Sequence, residues 1–424
     1  MPTASASLFR LFLTGEHARL CEEQARLCEE VETFAEANLA PLTAGMEARG
    51  PHTDHKVRTV LSTTGWLGVL IGAKWGGLDL GHVAKTLILA GLSRRSPAAG
   101  AILQASILGA APIAEYGSEE MRRTWLPEIA AGRCWPTIAV TDPQQGSHIL
   151  GMTATTRRSG QGYVLDGEKV FVGNAGIADV HCVIARTGSP GDERSLTAFL
   201  VERDSAGLDI VRRPANGLFG FSIDTLRLTG VHVPTSHIIG RVGDGLAVAQ
   251  LASVVYGRLN LAAVALGIHQ RLLDETARWV SARPRYDGHL SDLETVRHHI
   301  AEMKHHLMAT ELAVYGAAQL LDQGQSCDPW LYHAKLTAHR AGAAASEHAK
   351  QLFGGYAACL DTPIEQLRRD FDLIHAPAGP DDLQLKRLAE TVLGPDRSRR
   401  ARPGHSRQHR SEWSTQHALH RRTT

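Results

Sequence analysis

The sequence predicts an α+β protein in which an N-terminal helical domain, a small central β-barrel and a C-terminal four-helix bundle follow one another. Apolar residues recur at helical spacing over residues 16 to about 132 and again from Leu246 onward. Between these regions the chain consists of short β-type runs separated by turn residues. At 424 residues it is long enough for two or three packed units. We expect a helical domain at 1–134, a β domain at 135–241, a helical bundle at 242–394 and a disordered basic tail at 395–424.

The N-terminal region shows helical signals in order. Glu16–Ala40 alternates charged residues with an apolar face, and His55–Thr63 and His82–Leu92 follow with similar patterns. Ser118 is followed by Glu119 and Glu120. A serine before acidic residues is a typical helix start, so we expect Ser118 to cap a helix.

The central region predicts short strands. Asp166-Gly167 is a dipeptide that commonly closes a hairpin, so we place a turn there. Regularly spaced short strands are typical of a small barrel or sandwich. The predicted strands are Thr137–Thr141, Gly162–Leu165, Val180–Ala185, Leu196–Val201, Thr225–Leu228 and Val231–Val233.

The C-terminal region predicts long helices. Each is long enough to span a bundle, and the last is broken near Pro377 and Pro380, because proline disrupts a helix interior. The expected helical segments are Leu246–Trp279, Leu293–Gln323, Trp330–Leu352 and Glu365–Leu393.

Composition argues against several classes of protein. No apolar run approaches the roughly 20 residues that a membrane-spanning helix needs, so we expect no membrane span. The N-terminus has no basic start before its apolar stretch, which argues against a secretory signal. The six cysteines form no Cys-x-x-Cys pair. A reduced, cytoplasmic location is therefore expected.

The charge and the histidines suggest neither nucleic-acid nor metal binding. Residues 395–424 hold eight arginines against two acids, a charge of +6, but no pattern of aromatic residues interleaved with the basic ones. The segment is too polar to bury a core, so we expect it to be disordered. His298, His299, His305 and His306 cluster on one predicted helix without a further ligand at metal spacing. We expect a solvated helix face there and no metal site.

Several motifs together resemble the flavin-dependent acyl-CoA dehydrogenases. The C-terminal ones are Gln351–Gly355, then Pro363–Glu365 and Arg369-Asp370. In the β region, Thr141–Ser147 is similar to the family's Thr-Glu-Pro…Gly-Ser-Asp element. Gly162–Lys169 is similar to the family pattern Gly-x-Tyr-x-Leu-Asn-Gly-x-Lys. The resemblance spans roughly residues 15 to 394 and implies the family's fold.

The resemblance also implies FAD binding. Phe171 stands where the family has a tryptophan that packs on the flavin, and Gly173 replaces a threonine that bonds to it. Gly173 should leave a small void beside the reactive face. Asp287 replaces a glycine near the expected phosphate site. The implied cofactor residues are Thr141, Ser147, Phe171, Gly173, Arg283, Tyr286, Gln351, Gly354 and Gly355, and the implied substrate residues are Ser147 and Arg258.

The catalytic base of the family is missing from both of its positions. In most members a glutamate follows eight residues after the Arg-Asp aspartate, and here that position is Ala378. Some members place the base immediately before an arginine on the first bundle helix, and here that residue is Gly257, before Arg258. A relocated base stays open as an alternative. The nearby candidates are Asp361, Glu365, Asp372, Asp381, Asp382, Tyr256 and His375.

These features predict an FAD-dependent oxidoreductase that acts on an acyl thioester of coenzyme A or a carrier protein, in specialised metabolism. Without the usual base, three alternatives stay open: a flavin monooxygenase of the same fold, a non-catalytic subunit of a hetero-oligomeric dehydrogenase, and a dehydrogenase with a relocated base. Electron-transfer flavoprotein or oxygen is the expected electron acceptor. The resemblance implies a homodimer or homotetramer.

Overall fold

The computed structural model describes residues 16–48, 53–190 and 192–394, with helices at both ends of the chain and a β-sheet between them. The predicted disordered tail at 395–424 and the apolar N-terminus lie outside the described residues. The predicted fold class and its order of helices, sheet and helices are confirmed.

The N-terminal region is helical. Ser118 caps helix α6, as predicted, because its hydroxyl oxygen accepts from the backbone N–H of Met121 at 3.1 Å. Ser96 caps α5 in the same way, followed by Pro97 in the first turn. The helices are α1 (Glu16–Phe34), which continues through a π-helical segment (Ala35–Leu39), α2 (Ala40–Glu47), α3 (Thr53–Leu61), α4 (Gly81–Arg95), α5 (Pro97–Tyr116) and α6 (Glu119–Ala130).

The central region forms one eight-stranded sheet in the order β6-β7-β3-β2-β4-β5-β8, with β1 paired to β4. Tyr163 on β3 contacts Phe199 on β5, with ring centroids 5.4 Å apart, although two strands separate them in the sheet. The sheet therefore rolls around its own apolar core, as an open barrel. The strands are β1 (Pro136–Ala139), β2 (Thr155–Ser159), β3 (Gly162–Gly173), β4 (Val180–Arg186), β5 (Leu196–Glu202), β6 (Leu208–Val211), β7 (Ile223–Pro234) and β8 (Ile238–Ile239).

The predicted hairpin turn at Asp166-Gly167 is wrong. Strand β3 runs through both residues, and the register against β7 shifts between Leu165 and Gly167. Gly167 has φ of 139°, which a glycine adopts without strain, so the dipeptide forms a bulge within a continuous strand. Likewise Thr225–Leu228 and Val231–Val233 belong to one strand, β7.

The C-terminal region is a bundle of long helices whose predicted break is confirmed. Helix α11 ends at Asp372 and α12 begins at Asp381, and the prolines lie in the loop between them. The helices are α7 (Gly245–Gln250), a π-helical turn (Leu251–Gly257), α8 (Arg258–Ala282), α9 (Glu294–Asp322), α10 (Asp328–Phe353), α11 (Pro363–Asp372) and α12 (Asp381–Leu393). A short hairpin of β9 (Pro284–Arg285) and β10 (Gly288–His289) joins α8 to α9.

Two helical stretches among the described residues, Pro97–Tyr116 and Gly245–Ala282, are by length and composition apolar enough to cross a membrane. In both, 89% of the most apolar window is buried inside the protein. Their apolar residues therefore form the core between the two helical regions.

Candidate active site

The two positions where the resemblance places a base lie against each other. Gly257 ends the π-helical turn before α8, and Ala378 lies in the loop between α11 and α12. A Cβ atom on Gly257 would lie 3.2 Å from the Cβ of Ala378 and 3.7 Å from Cδ1 of Leu108 on α5. Two aliphatic side chains and the carbonyl oxygen of Ala252, 3.1 Å from that Cβ, therefore lie around the point where either base would be expected, and none of them is a carboxylate.

The loop that carries Ala378 is held by side chains from two helices. The side-chain amide of Gln384 donates to the carbonyl oxygens of Ala378 at 3.1 Å and Gly379 at 2.8 Å. The ammonium group of Lys335 donates to the carbonyl oxygen of Gly379 at 2.9 Å. Ala378 has φ of 55°, a left-handed conformation that costs a non-glycine residue roughly 1–2 kcal/mol. These bonds keep the residue in that conformation.

Arg258, an implied substrate residue, supports this loop from behind. It is buried, and its Nε donates to Oε1 of Gln384 at 2.7 Å. Its guanidinium lies 4.8 Å from the ring centroid of Tyr332, and burial lowers its pKa to about 10. Among the described residues its Nη1 has no hydrogen-bond acceptor. The contacts assign Arg258 a role in positioning the loop.

The acids proposed as relocated bases either contact basic side chains or are exposed to solvent. The carboxylate of Glu365 accepts from Nε of Arg369 at 2.9 Å, and Oδ1 of Asp381 lies 2.9 Å from Nδ1 of His339. The remaining three, Asp361, Asp372 and Asp382, are exposed. A structural or solvent-facing role is therefore favoured for all five.

Tyr256 and His375 also have neighbours outside the pair of base positions. The Tyr256 hydroxyl donates to Oε1 of Glu115 at 3.3 Å. The His375 ring lies 4.8 Å from the ring of His339. These contacts favour a packing role for both.

Two groups of histidines lie outside this site. Possible ligand atoms of His339, His375 and Asp381 lie within 4.8 Å of one another, but Arg340 already contacts the carboxylate of Asp381 at 3.3 Å. On α9, the expected solvated face is only half correct. His298 and His305 are exposed, whereas His299 and His306 are half-buried, and Nδ1 of His299 lies 2.8 Å from Nδ1 of His348 on α10.

A buried ion pair connects the two motifs of the β region, Thr141–Ser147 and Gly162–Lys169. Nζ of Lys169 lies 2.5 Å from Oδ1 of Asp142, and both side chains are fully buried. Asp142 also accepts from the backbone N–H of Ala154 at 2.8 Å. Burial alone would raise the pKa of Asp142, but the Lys169 charge lowers it below its ordinary value. The pair fixes the start of the loop that carries Thr141 and the exposed Ser147.

The expected void at Gly173 is wrong, because a ring fills it. A Cβ on Gly173 would lie 2.8 Å from Cζ of Phe221 and 3.3 Å from Cβ of Ala105 on α5. The hydroxyl of Thr137 donates to the Gly173 carbonyl oxygen at 2.5 Å. Gly173 therefore leaves room for Phe221, and this end of β3 is closely packed.

Phe171, two residues earlier, presents its ring to the outside. The side chain is 59% exposed and the backbone has a left-handed φ of 55°. The guanidinium of Arg213 lies 5.1 Å from the ring centroid. A ring held in this way is available to pack on a flat ligand.

The residues implied for the phosphate and adenosine half lie together at the end of the bundle. The guanidinium of Arg283 lies 4.7 Å from the ring centroids of both Trp279 and Tyr356. Tyr356 directly follows Gly354 and Gly355, beside which an added Cβ would meet nothing within 4 Å. The glycine backbone is thus open beside an exposed cation, the arrangement that a phosphate needs.

Three further implied positions at this end are exposed. Tyr286 is 79% exposed on the β9–β10 hairpin, and Asp287 follows it. Gln351 lies in the last turn of α10.

Sequence reasoning missed the residues that close the site. Gln384, which anchors the loop, is a polar residue in an ordinary amphipathic pattern. Phe221 and Leu108 are apolar residues without any motif. Their roles depend on contacts between distant segments, so no local signal could have identified them.

Comparison with known families accounts for nearly the whole chain. Residues 21–133 match the model described as acyl-CoA dehydrogenase, N-terminal domain. Residues 137–231 match the middle domain of the same family, and residues 243–393 match its C-terminal domain.

Comparison with individual proteins leads to the same family and fold. The chain is 28% identical over 366 residues to the acyl-CoA dehydrogenase of Bacillus subtilis (strain 168), which covers 86% of this chain and 96% of that protein. The glutaryl-coenzyme A dehydrogenase structure in complex with glutaryl-CoA superimposes with a TM-score of 0.85 at 25% identity, covering 94% of this chain and 100% of the other. The FAD complex of PigA has the same fold, with a TM-score of 0.84 at 24% identity, covering 90% and 99% of the two chains.

Proposed function

This chain belongs to the acyl-CoA dehydrogenase family, and we propose that it oxidises an acyl thioester whose own substituent makes a carboxylate base unnecessary. The family assignment makes it an FAD-dependent oxidoreductase that acts on an acyl thioester. The proposal concerns the chemistry of the acyl group.

The residues present fit FAD. Gly354 and Gly355 leave their backbone open beside Arg283, and Phe171 exposes a ring at the end of β3. The buried Asp142–Lys169 pair fixes the loop that begins at Thr141. These groups would hold the phosphates and one face of the flavin, and FAD when bound supplies the hydride acceptor.

The observation that carries the proposal is the contact between Gly257 and Ala378. A saturated acyl chain loses a hydride from Cβ and a proton from Cα, and proton loss from carbon needs a positioned base. Both positions of that base hold residues without a carboxylate, and the aliphatic side chain of Leu108 lies beside them. Desaturation of an unactivated acyl chain is therefore not the reaction that this site supports.

A hydroxyl or amine on the reacting carbon removes this difficulty. With FAD bound as the hydride acceptor, the C–H bond would lose its hydride, and a lone pair of oxygen or nitrogen would form the new double bond to carbon. The proton then departs from the heteroatom to water. The protein's task reduces to holding the acyl group in place, which an aliphatic, closely packed site can do.

The alternatives have less support. Oxygen activation would need space beside the flavin, which Gly173 and Ala378 would both supply, and Phe221 occupies the space at Gly173. A non-catalytic subunit would not need a cofactor site, whereas the uncovered backbone of Gly354 and Gly355 beside Arg283 could still bind the phosphates of FAD.

We infer that the chain self-associates in the cytoplasm. Tyr286 is 79% and Leu360 is 87% exposed at the end of the bundle that carries the cofactor residues. Burial of these side chains against a second copy would remove apolar surface from water and enclose the adenosine half. The electron acceptor is identified by comparing the rates at which an electron-transfer flavoprotein and oxygen reoxidise the reduced flavin.

Anaerobic flavin bleaching tests the proposal. The purified holoprotein is mixed with butyryl-pantetheine or 3-hydroxybutyryl-pantetheine, since pantetheine is shared by coenzyme A and carrier proteins. We expect the hydroxylated thioester to bleach the flavin and the saturated one to leave it oxidised over the same period. Rapid bleaching by butyryl-pantetheine, or a purified protein without flavin, would contradict the proposal.

A further inference from the structure

Helices α5 and α8 form a seam that starts at the two base positions. Gly257 lies against Leu108, and three residues further along α8 the Asn260 side-chain amide donates to the carbonyl oxygen of Gln104 at 3.4 Å. Gln104 precedes Leu108 by one helical turn. Ala105, next to Gln104, faces Gly173 at the end of β3. The seam therefore runs from the two base positions to Gln104 and Asn260, and Ala105 places its Gln104 end beside Gly173.

Two buried acceptor atoms at the far end of this seam lack donors. Asn260 is fully buried and Gln104 is 7% exposed. Among the described residues, Oδ1 of Asn260 and Oε1 of Gln104 have no hydrogen-bond partner. A buried polar atom without a partner costs roughly 1–3 kcal/mol, so native proteins keep few of them. Two on facing residues point to a donor that the protein itself does not supply.

We propose that Gln104 and Asn260 form the floor of the acyl pocket and accept hydrogen bonds from a hydroxyl or amine of the substrate's acyl group. The proposal rests on the proposed function for the position of the thioester. Asn260 lies about 4.5 Å along the helix axis from Gly257. An acyl group of roughly three to four carbons spans that distance, which places the donor on its β or γ carbon.

Such a floor discriminates between acyl groups according to whether its two buried oxygens receive hydrogen bonds. A methyl group in place of the hydroxyl would fill the same volume but leave both buried oxygens without donors. Sites built to bond a substrate hydroxyl reject the analogue without it strongly, by factors that reach about 10⁴. The floor therefore selects against purely aliphatic acyl groups.

The experiment compares two thioesters of nearly equal shape. Dissociation constants of 3-hydroxybutyryl-pantetheine and 3-methylbutyryl-pantetheine are measured anaerobically by calorimetry, for the wild-type holoprotein and for Gln104→Leu and Asn260→Leu. We expect the wild type to bind the hydroxylated thioester at least about tenfold more tightly, as one good hydrogen bond allows. Each substitution should abolish that preference. Equal binding in the wild type, or a preference that survives both substitutions, would overturn the proposal.

Thermal stability without any thioester provides an independent measurement. If the two oxygens have no hydrogen-bond donor in the absence of substrate, replacement by leucine of similar volume removes an unsatisfied polar group. The melting temperature of each variant should then equal or exceed that of the wild type. A clear fall in both variants would show that buried water or the protein satisfies the amides, and the floor would then be structural. This readout holds even if neither thioester binds, an outcome that would count against the proposed function alone.

Discussion

At the residue scale, Ala378 offers the most direct test of the missing base. Ala378 already carries a Cβ in its left-handed conformation, so Ala378→Glu adds no backbone strain. The new carboxylate would lie among Gly257 and Leu108, where burial raises its pKa toward neutrality and suits it to proton abstraction. We expect this variant to gain measurable anaerobic bleaching by butyryl-pantetheine. The gain should be modest, because no surrounding side chain orients the new base.

Gly257→Glu is the matched comparison. Its Cβ would lie 3.1 Å from the carbonyl oxygen of Ala252 and 3.2 Å from Cβ of Ala378, both tight contacts. We expect this variant to lose stability and gain less activity than Ala378→Glu. If the wild type already desaturates butyryl-pantetheine and needs Asp381 or Asp382 to do so, a relocated base explains the enzyme instead.

Arg283 tests the phosphate half of the cofactor site. Arg283→Glu places a carboxylate beside the open backbone of Gly354 and Gly355, where it would repel phosphate. We expect the variant to purify with little flavin while its circular dichroism spectrum stays unchanged. Flavin content is measured from the ratio of visible to ultraviolet absorption.

Arg285→Glu is the control for that variant. Arg285 lies two residues away and is also exposed, but it contacts Tyr286, at 4.6 Å from the ring centroid, instead of the glycine segment. It should retain flavin. Equal flavin content in the two variants would remove Arg283 from the cofactor site.

At the scale of elements, the contact between α8 and α9 contains a buried histidine. A ring nitrogen of His269, Nε2, lies 3.2 Å from the carbonyl oxygen of Met303, and burial lowers the pKa of His269 to about 4 from an ordinary 6.5. The unfolded chain therefore binds a proton more readily than the folded one between these values. Stability that is present above pH 6.5 should be lost as the pH falls toward 4, by up to about 3 kcal/mol from this group.

His269→Gln isolates this contribution, since the glutamine amide can still donate to Met303. We expect its free energy of unfolding to fall less steeply than that of the wild type between pH 6.5 and 4, as measured by urea denaturation. His305→Gln, on the exposed side of α9, should follow the wild type. Identical slopes for all three proteins would show that His269 does not carry acid sensitivity.

At the scale of the whole molecule, the flavin site should be independent of the basic segment at 395–424. The segment has eight arginines and few apolar residues, so its composition offers little apolar surface to bury, and it follows the last helix of the family's fold. We expect a protein ending at Gly394 to keep its flavin and its oligomeric state. Both are measured by absorption during size-exclusion chromatography with light scattering. Loss of the flavin or a change of oligomeric state in this shortened protein would show that the segment has a structural role.

The order of helices, sheet and helices could be predicted from the sequence alone. Hydrophobic periodicity and helix caps such as Ser118 act over a few residues, so they are visible locally. Motifs also identified the flavin family, because glycines and hydroxyls near a cofactor recur at fixed spacing. Local signals failed at Asp166-Gly167, where pairing with β7 turned an expected hairpin turn into a bulge.

Only the tertiary structure decided what the vacant base positions mean. From the sequence, Ala378 and Gly257 were alternative locations of one base, and Gly173 was a void. In the folded chain Gly257 and Ala378 touch, Phe221 fills the space at Gly173, and the orphaned oxygens of Gln104 and Asn260 lie at the end of the same seam. Close packing brings together side chains that are distant in sequence, and no pattern along the chain encodes which ones will meet.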